Sequence, residues 1–144
     1  MTRPTRLFLI EPVAQVRLGW VRALSARFEV ETDLGELHPV RHVRRGRYGV
    51  VLLSLGRGRL TQGLRLCRTL KTDGNQPPKV GLIDRWARVA DPEAALAAHL
   101  GDGYLGGVPE DKTLLDFVLK VGAGDRPVVS CTPEQGLLAR LLRR

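Results

Sequence analysis

The stretch Val50-Val51-Leu52-Leu53-Ser54-Leu55 decides the fold. Apart from Ser54 it is apolar, so it cannot be a strand with one face in water. A strand with no polar alternation is covered on both faces, as in a parallel sheet. The same signature recurs on either side of it. Leu7 to Ile10 is a second apolar run and Val80 to Ile83 a third, with Tyr104-Leu105 at the centre of a shorter one. Glu29 to Thr32 alternates like a short edge strand.

Helical spacing fills the intervals. Val13, Val16, Trp20, Val21, Leu24 and Phe28 recur every three or four residues. Leu37 to Val43 reads as a weaker helix, with Pro39 in its first turn. Leu60, Leu64 and Cys67 mark a third helix from 60 to 70. Pro92 to Leu100 is Ala-rich, with Asp91 placed to cap it and Pro92 at its first position. Pro109 to Val121 is the last, ending at Gly122. Strand and helix alternate five times, which predicts an α/β domain: a doubly wound, five-stranded parallel sheet in three layers, with one further C-terminal helix. The expected organisation is a domain over 1–122, a linker over 123–131 and a helix over 132–144, with Thr132 as N-cap and Pro133 at N1.

The totals agree with one such domain. The 144 residues are 43% hydrophobic, enough for one core, but only 5% aromatic, so Leu and Val must fill it. A formal charge of +8 suits an anionic partner and equally suits a solvated, Arg-rich surface. Cys67 and Cys131 are far apart and in no C-x-x-C spacing, as expected of reduced thiols in a cytoplasmic protein. The apolar run after Arg6 is too short for a signal peptide or a membrane span.

In doubly wound sheets function sits at the carboxyl ends of the strands. Those ends carry Glu11, Ser54, Asp84 and Gly107. Local phrases there carry a resemblance. RLFLIEP, the Val16-Arg17-x-Gly19 phrase, YGVVLLSL, QGLRLCRTLK and GDGYLGG follow in the order and spacing found in the receiver domains of two-component response regulators. The chain most resembles the LuxR-type (NarL/FixJ) branch, over about residues 1–122. The resemblance implies a flavodoxin-like fold and a phosphoryl-accepting pocket. That chemistry needs an attacking aspartate, two acids that hold Mg²⁺, and a lysine and a hydroxyl for the phosphoryl oxygens. The attacking Asp falls on Ser54, the acidic pair on Glu11 and Pro12, the hydroxyl on Asp84 and the lysine on Gly107. The pocket is therefore expected to be degenerate, with no Mg²⁺ or other cofactor, no small-molecule substrate and no enzymatic activity. Ser54 lies in no G-x-S-x-G frame that would make it a nucleophile.

The expected function is a phosphorylation-independent signalling or interaction domain that works through a protein partner or as a homodimer. The resemblance puts the partner surface near Trp86 and Tyr104. The tail CTPEQGLLARLL, residues 131–142, resembles the opening of a LuxR-type DNA-binding domain, and the chain given stops before any recognition helix. A second reading assigns nucleic acid to a basic patch of Arg41, Arg44, Arg45, Arg47, Arg57 and Arg59, aided by that helix. Against it stand the lack of interleaved aromatics and the simpler account of a solvated face. His38 and His42 have the i, i+4 spacing of metal ligands, but no third ligand is spaced to join them and the neighbouring arginines would repel a cation.

Overall fold

The computed structural model describes residues 4–32, 39–56, 60–72, 74 and 76–133. Its elements are β1 (Thr5–Ile10), α1 (Ala14–Leu24), β2 (Phe28–Thr32), α2 (Pro39–Gly46), β3 (Val50–Ser54), α3 (Leu60–Thr72), β4 (Lys79–Asp84), α4 (Pro92–His99), β5 (Gly103–Gly106), α5 (Asp111–Ala123) and β6 (Val128–Ser130). The strands form one sheet in the order β2-β1-β3-β4-β5-β6, with every neighbouring pair parallel. All five residues of β3 are buried, as its unbroken apolar run requires.

Successive residues of each strand face opposite sides. Leu7, Leu9, Val50 and Leu52 pack with Trp20 and Leu24 of α1 and with Phe117, Val118 and Val121 of α5. Phe8, Val51 and Leu53 pack on the other side with Val43 of α2, Cys67 and Leu70 of α3 and Leu96 of α4. Two cores of this kind make the three-layer arrangement. The start of α4 forms as its residues dictate: the Asp91 side chain accepts a hydrogen bond from the Ala94 amide at 3.1 Å, and Pro92 follows it.

The sheet has six strands among the described residues, and the expectation of five is corrected by β6. Val128 to Ser130, read as linker, lie along the free edge of β5. The Tyr104 amide donates to the Pro127 carbonyl at 2.9 Å and the Cys131 amide to the Gly106 carbonyl at 2.6 Å. A three-residue strand has too few residues for a period. It exists because β5 offers an unpaired edge and because the chain turns back at once after α5, through Gly124 (φ 83°) and Arg126 (φ 53°). The further helix expected over 132–144 lies outside the described residues beyond Pro133.

Candidate functional site

The carboxyl ends of β1, β3, β4 and β5 bring Glu11, Ser54, Asp84 and Gly107 to one end of the sheet, as expected. Pro12 is exposed beside them. What the sequence did not disclose is that arginines reach the acids. Glu11 is only 2% exposed. Its Oε1 accepts from the Val13 amide at 3.0 Å and lies 3.9 Å from a guanidinium nitrogen of Arg85, itself buried. Arg17 donates to the Glu11 backbone carbonyl at 2.9 Å, tying α1 to the end of β1.

Asp84 is fully buried. Its Oδ2 accepts from the amides of Arg88 (2.6 Å) and Val89 (3.0 Å) and from the Tyr104 hydroxyl (2.9 Å). Its Oδ1 lies 3.8 Å from Nε of Arg88. The side chain of Arg88 also donates to the Gly56 carbonyl, so it bridges the β4 and β3 ends. Asp84 is thus a structural carboxylate that organises the loop after β4. Burial, and then the hydrogen bond to Asp84, raise the Tyr104 hydroxyl above its ordinary pKa, so it stays a donor.

Trp86 is half-buried between the two arginines, with the Arg85 guanidinium 4.7 Å and that of Arg88 5.7 Å from its ring centroid. The expectation that Trp86 and Tyr104 share a partner-binding surface is corrected for Tyr104. That residue is 4% exposed and belongs to the core that also holds Phe8 and Leu82. Its position on β5 is the same either way; only the face it takes differs, and that follows from its hydroxyl finding Asp84.

At Gly107 the backbone has φ 102°, and a Cβ there would lie 2.4 Å from the Cys131 carbonyl oxygen and 2.9 Å from that of Thr132. The segment after β6 crosses this point, held by the Val108 amide donating to the Thr132 carbonyl at 2.8 Å. A side chain at 107 has no room.

Of the basic patch, Arg41, Arg44 and Arg45 are exposed on α2 and Arg47 is exposed just after it. Arg44 and Arg47 border the start of β3, at the opposite end of the sheet from Glu11 and Asp84. Arg57 and Arg59 lie outside the described residues, as does His38. His42 stacks on Tyr48 with ring centroids 6.0 Å apart and packs against Phe8. Among the described residues no group of three or more His, Cys, Asp and Glu side chains is arranged to hold a metal ion.

Comparison with solved structures places this geometry. The chain superposes on a response regulator from Thermotoga maritima with a TM-score of 0.69 at 16% identity, over 84% of this chain and 99% of that one. A signal receiver domain of a putative Luxo repressor protein from Vibrio parahaemolyticus gives 0.67 at 11% identity, over 99% of both chains. Chemotaxis response regulator CheY4 of Vibrio cholerae gives 0.66 at 16%, over 83% of this chain and 99% of that one. The chain has the fold of response-regulator receiver domains. No family model matches it, and no curated protein matches it in sequence.

The receiver fold implies Mg²⁺ chemistry at these strand ends. Mg²⁺ takes near-octahedral oxygen ligands, usually including one or two carboxylates. Here Glu11 faces Arg85 and Asp84 faces Arg88. A dication would have to share each acid with a guanidinium, and the position next to Glu11 is a proline. The residues do not fit a Mg²⁺ site. No helix among the described residues is long and apolar enough to cross a membrane.

Proposed function

We propose that this chain is an atypical receiver, a non-enzymatic signalling module whose output is set by binding a protein partner or a second copy and not by phosphorylation. The observation that carries this reading is the ion pair of Glu11 with Arg85. In a phosphorylatable receiver, the charge that neutralises the acidic end of β1 arrives with a metal ion and is lost again. Here it is covalently part of the chain. Ser54 in the acceptor position and the covered backbone at Gly107 support the same reading. Free Cys67 and Cys131 suit a cytoplasmic setting. Trp86 remains the candidate anchor for a partner, since it is half-buried and aromatic.

The test is incubation with acetyl phosphate, or with beryllofluoride, at millimolar Mg²⁺. Intact mass is followed, with fluorescence of the Trp20→Phe variant, in which Trp86 is the one tryptophan. The expected outcome is no adduct and no change in emission, because Trp86 stacks on Arg85 and would report any rearrangement of that guanidinium. A stoichiometric adduct at Ser54 or elsewhere at these strand ends would refute the reading.

A second reading, duplex nucleic acid on α2, is favoured by one observation: Arg41, Arg44 and Arg45 are exposed on a helix with no acidic residue. Saturable binding of duplex DNA, with affinity falling steeply as salt rises, would establish it.

A further inference from the structure

At the end of the sheet opposite Glu11 lies a cleft of about 830 Å³, within the size range of small-molecule sites. It opens between the end of α2, the start of β3 and the loop that leads into β4. One part of its lining is cationic: Arg44, Arg47 and Lys79, all exposed. Another part is apolar: Val40 and Pro77 at the surface, backed by the buried Leu70 and Pro78. No described residue lining it is acidic.

The walls are held in place before any ligand arrives. Lys71 donates to the Pro78 carbonyl at 2.9 Å and is itself fixed by Asp102 at 2.7 Å, a largely buried pair that also takes the Val80 amide. On the other side, Arg6 donates to the Gly46 carbonyl, and the Tyr48 hydroxyl donates to Glu31. The Lys79 amide closes the floor on the Gly49 carbonyl at 2.9 Å.

The cations are not explained by the helix they follow. Arg44 and Arg45 in the last turn of α2 complement its dipole, but Arg47 and Lys79 lie outside the helix. Arg47 also has φ 53°, a conformation at which glycine is the favoured residue. The glycine stands one place earlier, at 46, where a Cβ would run into the Tyr48 ring at 2.2 Å. The left-handed turn at Arg47 ends α2 at the mouth of the cleft.

We propose that this cleft binds a nucleoside polyphosphate as a ligand, not a substrate, with phosphates on Arg44, Arg47 and Lys79 and the base over Val40 and Pro77. Three cations around one concavity suit a polyanion, and the apolar wall suits a flat body joined to it. The site is independent of the pocket at the other end of the sheet.

The test is calorimetric titration of the full chain with ATP and ADP in the absence of divalent metal. Adenosine, inorganic tripolyphosphate and a duplex DNA are titrated beside them. The expected result is saturable, one-to-one ATP and ADP binding that is at least tenfold weaker for adenosine and for tripolyphosphate. It should weaken tenfold or more in Arg47→Gly and in Lys79→Gln. Arg22→Gln, an exposed position on α1 at the other face of the sheet, removes the same charge and should leave binding unchanged. Arg47→Gly suits this purpose because glycine relieves the backbone, so loss of binding cannot be ascribed to loss of the fold. The proposal is overturned by no nucleotide binding, or by tripolyphosphate binding as tightly as ATP. DNA binding without ATP binding overturns it too, as does equal weakening by Arg22→Gln.

Discussion

Replacing Gly107 by alanine or by lysine separates a lost functional group from a position that cannot hold one. A residue with a Cβ at φ 102° is strained by about 1–3 kcal/mol. The Cβ would also lie 2.4 Å from the Cys131 carbonyl oxygen, a backbone atom that cannot swing aside as a side-chain tip can. To make room, the segment after β6 must move and give up two hydrogen bonds. These are Cys131 to Gly106 and Val108 to Thr132, each contributing about 1 kcal/mol. The sum for Gly107→Ala is about 3–5 kcal/mol, a large part of the stability of a domain this size. Urea unfolding followed by far-ultraviolet circular dichroism measures it, with the m-value checked for a change in the native state. Gly107→Lys, which restores the residue type that receivers carry, is expected to cost at least as much and to bring no phosphoryl uptake. A loss of less than about 1 kcal/mol for Gly107→Ala would mean that the segment after β6 does not press on residue 107. The account of a closed position would then fail.

Three further outcomes are expected. Arg85→Met removes the guanidinium that faces the buried Glu11 carboxylate and should cost about 3–5 kcal/mol by urea unfolding, with most of it recovered in the double variant with Glu11→Gln; additive losses would show that the two residues are not coupled. Burial first, and then the hydrogen bond to Glu31, push the Tyr48 hydroxyl up to about 12, while that same bond and Arg6 hold Glu31 below the ordinary carboxylate range. Tyr48, raised in the folded state, contributes stability that is complete below pH 10 and disappears as pH climbs towards about 12. Glu31, depressed, contributes stability that is complete above pH 4.5 and is lost as pH falls through its folded value. Stability against pH should decline at both ends, and Tyr48→Phe should flatten the alkaline limb; an unchanged limb in that variant would reject the assignment. Cys67 is fully buried and its thiol is pushed up to about 12 by burial, so iodoacetamide at neutral pH should alkylate Cys131 well before Cys67 in the native protein, as peptide mass spectrometry would show.

The parts of the fold that were legible in the sequence are those where one residue type answers one local need. The runs at Leu7–Ile10, Val50–Leu55 and Val80–Ile83 are apolar on both faces because both faces are covered. Asp91-Pro92 opens α4 because it supplies an acceptor and a preset φ there. β6 was not legible, since Val128-Val129-Ser130 owes its conformation to the edge of β5 and to no period of its own. The candidate site divides in the same way. The positions of Glu11, Ser54, Asp84 and Gly107 at one end of the sheet follow from strand order. Nothing in the spacing assigns Arg85 and Arg88 to the acids, because reach and direction of a long side chain are set by packing.

The sequence by itself determined that strand and helix alternate, that the core is aliphatic, and that Glu11, Ser54, Asp84 and Gly107 stand at the carboxyl ends of the strands. These are properties of residue type and spacing, and they survive any rearrangement of distant parts. Only the tertiary structure decided what meets those residues. Glu11 and Arg85 are far apart along the chain, as are Gly107 and Cys131, and their approach exists only once the strand ends are brought together. Pairing a buried carboxylate with a guanidinium, and laying one backbone across another, are effects of distance between non-neighbours. No pattern along the chain encodes that distance.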